Sequence, residues 1–437
     1  MEQREDLRTP ATRRGLIGWA LYDWANSPFT TLIITFVFAA YFSRGIVGDE
    51  VQGQALWGYV AGISAVFVAI LSPVLGAVAD AGGRRKPWIC LSSGLCIVCS
   101  ALLWYAEPVP DAIPLAMVLV ILANIGFEFG IVFNNAMLGD IVGRERLGRW
   151  SGWAWGIGYI GGLAALFAML FGFIQTDEPW FGVGKENAAN IRVVGPLVAF
   201  WFAVFVIPLF LFTPDRDVST LPLGQRVRQG VSALGTTLRG LTGEHANAMR
   251  FLIARMIYND GLVIVFALGG VYAAGRFNME QAELIQFGIV MNVTAGVGAI
   301  AFAWLDDWRG SKAAITIALI GLSGAGLGAV TVEDVTWFWI WGAVLGIFVG
   351  PAQAASRSFM ARIAPPELRT EFFGLFALSG KATAFLGPIA AAAMTSLSGS
   401  QSLGLGTAVV FFVIGLGVLM TVQEPERPET KKAASIF

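Results

Sequence analysis

Asp23, Glu128, Arg255, Asp260 and Lys381 each fall inside a stretch otherwise apolar enough to cross a bilayer. An ionisable group at mid-bilayer costs ~2.5–3.5 kcal/mol on insertion scales, so each needs a partner, a water-filled cavity or a function. Asp23 is followed closely by Asn26, Ser27 and Pro28. Pro28 lacks a backbone donor and displaces the carbonyl four residues earlier, that of Trp24, which leaves an oxygen open to a cation or an amino group. The run Tyr258-Asn259-Asp260-Gly261 again sets an acid and an amide beside a helix-weakening residue. Two disrupted polar segments in corresponding places point to a binding site shared between them. The competing reading is static: Asp23 or Asp260 simply neutralises Lys381 or Arg255 in a fixed buried pair. Asn134, Asn135 and Gln353 carry a similar ambiguity, since amides near a helix end either meet a bound solute or bond a neighbouring backbone.

The elements that must hold these groups follow from composition. Of 437 residues, 56% are hydrophobic and 14% charged, with a mean hydropathy of +0.68. Soluble domains carry about 25% charged residues, so this chain cannot build a water-soluble surface. A net charge of −1 supplies no field to gather nucleic acid. A bilayer-spanning helix needs ~20 mostly apolar residues. Twelve such stretches lie near 16–42, 54–79, 88–106, 113–138, 150–174, 193–212, 248–273, 282–305, 313–331, 337–360, 372–396 and 403–422. The charged first fifteen residues run into a span too long for a secretory leader, so the first span is expected to stay. The N-terminus and alternate loops hold 22 Lys and Arg, among them Arg4, Arg8, Arg84, Arg85, Arg357, Arg362, Arg427, Lys431 and Lys432. The opposite loops hold four, Arg44, Lys185, Arg192 and Arg276, which places both termini in the cytoplasm. Tryptophans near span ends (Trp19, Trp57, Trp88, Trp104, Trp150, Trp180, Trp304, Trp337) fit interfacial anchoring. Cys90, Cys96 and Cys99 share one apolar stretch, which indicates neither a disulfide framework nor a zinc module, and Cys96 and Cys99 read as packing residues. His245, the lone histidine, sits in a polar connection as a solvated residue. No metal cluster, cofactor motif, H-E-x-x-H, G-x-S-x-G or G-x-x-x-x-G-K-[ST] string occurs, so neither an enzyme nor a nucleotide motor is indicated.

The longest connection divides the chain into 1–212, a linker at 213–246, and 247–437, with six spans on each side. In the linker Leu223, Val227, Val231, Leu234, Leu238 and Leu241 recur on one helical face, with Arg226, Arg228 and Arg239 off it. That pattern predicts a helix on the membrane surface or under the bundle, or else a mere tether. The halves repeat each other weakly. "GAVADAGGRRKPW" from Gly76 and "AWLDDWRGSKAAI" from Ala303 each run acid, glycine, base, and "DIVGRERLGRWSG" from Asp140 aligns with "RIAPPELRTEFFG" from Arg362 at an offset of 222. Gly152/Gly156 and Gly158/Gly162 have the spacing that lets helix backbones approach closely, with a sliding contact as the added reading. Two related six-helix bundles with a site between them is a plan used for moving solutes.

Gly76-x-x-x-Asp80-x-x-Gly83-Arg84-Arg85-Lys86, at the end of the second span, resembles the signature loop of the major facilitator superfamily. The glycines allow a tight turn and Asp80 can face the positive start of a neighbouring helix. The resemblance makes that neighbour the eleventh span, near Phe372, and makes the loop a gate; the alternative is that its basic residues only set topology. Four further runs, "YDWANSPF", "FNNAMLGDI", "ARMIYNDG" and "RSFMARIAPPELRTEFFGLFALSGKATAFLGP", resemble the branch of vacuolar autophagy-related amino-acid effluxers and their bacterial relatives. The resemblance implies an all-α major facilitator fold of twelve transmembrane helices, a functional monomer and export of amino acids. Short loops suggest a bacterial inner membrane. It also sets spans one, four, seven and ten around a central cavity, so that Asp23, Glu128 and Asp260 would face water; with Asn26, Ser27, Asn135, Asn259 and, from span eleven, Lys381, they are the residues expected to meet a small-molecule substrate or protons. A zwitterion fits such a site, its amino group on Asp23 or Asp260 and its carboxylate on Lys381. A drug exporter of the same fold and a transport-inactive receptor remain as alternatives.

Overall fold

The computed structural model describes residues 11–217 and 222–424. Twelve helical spans run from Arg13–Val47 to Gln401–Met420, and no strand occurs among the described residues. They form the two six-helix bundles expected from the hydropathy pattern. An even number of crossings puts both described ends on one membrane face, called here the terminal face; the other is the far face. Arg4, Arg8, Arg427, Lys431 and Lys432 lie outside the described residues.

Of the spans that depart from regular helix, two bear on the site, and they are not the expected pair. The first is α-helical over Arg13–Pro28 and then continues as a wider π-helix, Phe29–Phe36. Pro28 thus changes the helix type instead of opening a gap. The carbonyl of Trp24 is not left open either, because the Trp201 indole donates to it at 3.2 Å. In the seventh span Asn259, Asp260 and Gly261 sit within an unbroken helix, Ala246–Phe277. Gly261 instead lets the twelfth span close in: a Cβ there would lie 2.7 Å from the Phe412 ring and 3.0 Å from the carbonyl of Ala408. The second interruption lies in the eleventh span, between helices Arg369–Lys381 and Leu386–Ser398.

Close glycine contacts join the halves. Gly76 on the second span and Gly374 on the eleventh each face backbone of the other helix, with an added Cβ 2.4 Å from the carbonyls of Thr370 and Ser72 respectively. On the fifth span, Gly152 and Gly156 meet Ala299, Ala303 and Ile300 of the eighth, while Gly158 and Gly162 meet Asp23, Ser27 and Thr31 of the first. One helix therefore uses its two glycine pairs on two different neighbours. Trp19 is fully buried between the halves, so it is not an interfacial anchor, whereas Trp304 and Trp337 are about half exposed.

The linker carries a helix, Leu223–Gly240. Its expected stripe is split: Leu234 and Leu241 are buried, but Val227, Val231 and Leu238 are exposed. The packed face is completed by Gly230, which abuts Ala77 and Val78 of the second span, and by Thr237. The side chain of Leu223 lies outside the described ones. His245 is not simply solvated; it meets the Phe372 ring edge-on at 5.3 Å.

A Cβ on Gly298 would lie 1.9 Å from the carbonyl of Ile347, whereas nothing lies within 4 Å of one on Gly94. Gly298→Ala is therefore expected to cost about 1–3 kcal/mol through overpacking, and Gly94→Ala to be neutral or stabilising. Thermal unfolding in detergent measures both, and an unchanged midpoint for Gly298→Ala would contradict the packing described.

Candidate functional site between the bundles

Charged groups are stacked in levels from the terminal face inward. The outermost level is built where helices start. Asp80, at the end of the second span, accepts the Glu371 backbone N–H at 2.9 Å and the Thr370 hydroxyl at 2.6 Å, so its carboxylate faces the positive start of the eleventh span. Arg85 is buried and donates to Asp80, to Asp140 and to the Thr370 hydroxyl. Arg216 and Arg369 also pair with Asp140. Burial draws the Arg85 guanidinium down from its ordinary value, and Asp140 and Asp80 pull it back. Gly83 has φ +82°, a positive value that glycine permits. Arg84 is exposed and stands apart from this network.

The eighth span repeats the device toward the fifth. Asp307 accepts the N–H groups of Gly148 at 2.8 Å and Arg149 at 3.2 Å. Beneath it Arg362 donates to Asp306 at 2.5 Å. A further repeated pair lies within each half. Asp215 accepts the N–H groups of Arg85 and Lys86, and Glu424 those of Ser311 and Lys312. Burial raises the Glu424 carboxyl above its ordinary range.

The next level holds a residue that loop counting misplaced. Arg357 is not a loop cation. It lies inside the tenth span, Val335–Ile363, six residues before its end, or about 9 Å at ~1.5 Å per residue. Its guanidinium donates to Asp23 at 2.7 Å, to the Asn135 side chain at 3.2 Å, and to the Ser151 hydroxyl and carbonyl at 2.9 and 2.6 Å. The Trp19 and Trp155 rings lie 5.2 and 5.7 Å away. Every one of these partners belongs to the other bundle. Ser27 bonds locally, its hydroxyl to the carbonyl of Asp23 at 2.5 Å. Asn26 is buried with its amide nitrogen unpartnered, and Asn134 is buried with both side-chain polar atoms unpartnered.

Deeper in the bilayer Lys381 pairs with Glu128 at 2.7 Å, again across the halves. Both are partly exposed, at 31% and 18%, against 3% for Arg357. The static pairings of Asp23 or Asp260 with Lys381 or Arg255 are therefore not the ones formed. Arg255 donates to the carbonyl of Phe376 at 2.6 Å and to the Ser379 hydroxyl at 2.8 Å, and stacks over the Phe376 ring at 3.5 Å. Asp260 is buried and, among the described residues, accepts only the Thr383 hydroxyl, at 3.3 Å, inside the break of the eleventh span. Asn259 donates to the Gly380 carbonyl at 3.2 Å. Counted along their helices, Glu128, Asp260 and Lys381 all lie about 18–21 Å from the terminal face. Toward the far face opens a cavity of about 320 Å³, lined by Thr30, Thr31, Thr35, Asn292 and aromatic rings including Phe36 and Phe287.

Inter-bundle ion pairs, a sealed terminal face and a cavity between repeated halves describe a transporter fold, and comparison with known proteins agrees. The family model described as "Vacuole effluxer Atg22 like" matches residues 11–150 and 143–431. The chain belongs to this Atg22-like family. It is 26% identical over 411 residues to an uncharacterized MFS-type transporter, YxiO, of Bacillus subtilis, covering 93% of this chain and 94% of that one. Autophagy-related protein 22-1 of Neosartorya fischeri is 23% identical over 66% of this chain, and the match spans half of that longer relative. Among solved structures, the human organic anion transporter MFSD10 superposes with a TM-score of 0.71 at 15% identity, covering 94% of this chain and 100% of that one. A bacterial homologue of the iron transporter ferroportin, solved in an outward-facing state, gives 0.69 at 12% identity, covering 93% and 98%. The Atg22-like chain is thus an integral membrane transporter of the major facilitator fold.

Arg357, Ser151, Asp307 and Arg216 were not selected from sequence. For Arg357 a signal existed: it aligns with Asn135 at the offset of 222, the residue it touches. Removing one member of a buried charge network costs several kcal/mol. Asp80→Ala and Asp307→Ala are each expected to reduce occupancy of the closed terminal face at least tenfold. Maleimide labelling of a cysteine at Ser379, in a Cys90→Ser background, reads that occupancy; rates equal to the parent would show that neither carboxylate holds the face shut.

Proposed function

We propose that this protein is a secondary active exporter of a small zwitterionic solute, an amino acid or related metabolite, working by alternating access with the terminal face in the cytoplasm. The observation that carries the reading is two of the inter-bundle ion contacts that lie inside the spans, Asp23 with Arg357 and Glu128 with Lys381. Rocking of one bundle against the other must break both. The bundle boundary for this motion falls in the linker at 213–246, as the sequence division has it. A zwitterion carries one charge of each sign, so its amino group can take Glu128 or Asp260 and its carboxylate Lys381, leaving no desolvated charge unopposed. The partial exposure of Glu128 and Lys381 supports their being the exchangeable pair. Asn259 and the hydroxyl of Thr383 border the same level.

Asp23 serves the coupling step. While Arg357 is seated, the Asp23 carboxylate opposes its charge at 2.7 Å; once the halves part at the terminal face, Asp23 loses that counter-charge, so its carboxylate reports which way the protein faces. Asn26, Ser27 and Asn135 position this pair and do not hold the solute. Gly76, Asp80, Gly83 and Arg85 form the gate, and exposed Arg84 acts on topology. The family's printed description as a vacuole effluxer supports export. The positive-inside bias supports the orientation and, with the YxiO relative, a bacterial cytoplasmic membrane. The protein works as a monomer, since the inter-bundle ion pairs and the cavity form within one chain.

Proteoliposomes with an imposed pH gradient, loaded with a panel of amino acids, test this. Asp23→Asn is expected to abolish uphill accumulation while leaving solute exchange, and Lys381→Gln to weaken solute binding at least tenfold. Arg357→Lys, which cannot fill the same fork of acceptors, should slow transport at least tenfold. Undiminished accumulation by Asp23→Asn would reject the coupling role. Binding of apolar cations with none of amino acids would replace the substrate class.

A further inference from the structure

The linker helix Leu223–Gly240 holds Arg226, Arg228 and Arg239 and no acidic residue. Counted at about 100° per residue, its packed face, Gly230, Leu234, Thr237 and Leu241, centres on one direction. The exposed residues Val227, Val231 and Leu238 centre about 70° round from it, and Arg228 and Arg239 about 90° further on. Three chemically distinct strips therefore follow one another: protein-facing, apolar and uncovered, cationic. The polar residues Gln225, Gln229, Ser232 and Thr236 fill the remaining side.

This order has a physical reading. The helix is held by its packed face against Ala77 and Val78, near the terminal end of a bilayer-crossing helix, so it lies at the level where acyl chains give way to headgroups. Val227, Val231 and Leu238 are 42%, 49% and 48% exposed, which in water would be an unfavourable apolar strip. Rotated one quarter-turn from the bundle, the strip can enter the acyl boundary. The next strip then lies at the phosphates, where arginine forks bind well. Arg228 and Arg239, on a helix that carries no acidic residue of its own, match a negatively charged leaflet.

We propose that the linker helix is an anionic-phospholipid site: Val227, Val231 and Leu238 seat in the acyl boundary while Arg228 and Arg239 hold lipid phosphates. The site stands independently of which solute the central pair carries. Gly230 fixes the helix backbone to the end of the span that carries Asp80, so the seat also fixes that end relative to the leaflet.

Full-length protein with Cys90→Ser, spin-labelled at Val231→Cys, Val227→Cys or Leu238→Cys, is reconstituted in vesicles of phosphatidylglycerol with phosphatidylcholine, or of phosphatidylcholine alone. A label at Thr236→Cys provides the aqueous reference. In anionic vesicles the three apolar positions should collide more with oxygen and several-fold less with an aqueous nickel chelate than position 236. An arginine near an anionic leaflet is worth about fivefold, so Arg228→Gln with Arg239→Gln should shift the strip about 25-fold toward water, read as a rise in nickel accessibility at position 231. High salt should act in the same direction. Equal nickel accessibility at 231 and 236, or identical behaviour in phosphatidylcholine alone, would overturn the proposal. Dipolar broadening between labels would also overturn it, by showing that a second copy covers the strip.

Discussion

The guanidinium of Arg357 belongs by covalent structure to one bundle and by every polar contact to the other. A desolvated arginine is tolerable only when its donors are satisfied and its charge is opposed. Asp23, Asn135 and the Ser151 hydroxyl and carbonyl supply those needs only while the bundles are closed at the terminal face. On opening, water replaces each of these partners. The closed and open arrangements thus differ by an exchange of good hydrogen bonds for other good hydrogen bonds, which keeps the gap small enough for a ligand to bridge. An apolar plug of the same volume would gain from burial in one direction only and would hold the face shut.

The remaining closure is built twice. Asp80 caps the start of the eleventh span from the second, and Asp307 caps the start of the fifth from the eighth. Both rest on the unpaired N–H groups that every helix start exposes. The repeated architecture makes the two interfaces similar in kind, so they can part together. Function enters where the repeat fails. At the offset of 222, Asn135 stands where the other half has Arg357, and Asp140 where it has Arg362. Two copies of one scaffold carrying unlike groups meet at a pseudo-twofold interface, and the unlike groups become partners.

Span number, helical class, the linker helix and the acid facing a helix start were legible because each depends on local composition or a short motif. Partners were not, because they are set by which helix faces which. Pro28 correctly signalled an irregular helix, yet nothing in its neighbourhood announced that the Trp201 indole would take the freed oxygen. Gly261 looked like a weak point, but one glycine in a long helix is tolerated, and its missing side chain served packing against Phe412. The break of the eleventh span follows Lys381, flanked by Gly380 and, further on, Gly387-Pro388, residues that weaken a helix without marking by themselves where it stops. Arg357 shows the same limit: a basic residue near a span end has the sequence signature of a loop cation, and only the helix packed against it makes it a buried donor.

The eleventh span joins the levels mechanically. Its segment Arg369–Lys381 carries Thr370 and Glu371, bonded to Asp80, at one end and Lys381, bonded to Glu128, at the other. Thirteen helical residues form a stiff rod of about 20 Å, and the break beyond Lys381 frees its inner end from the rest of the span. A partly exposed ion pair is weak and exchangeable, whereas the buried contacts at the outer end yield only together. On the proposed reading, a solute carboxylate that draws Lys381 away from Glu128 therefore applies its binding free energy to the rod at its free end. The opposite end is the one held by Asp80, so ligand occupancy and closure are expressed in the position of one short helix.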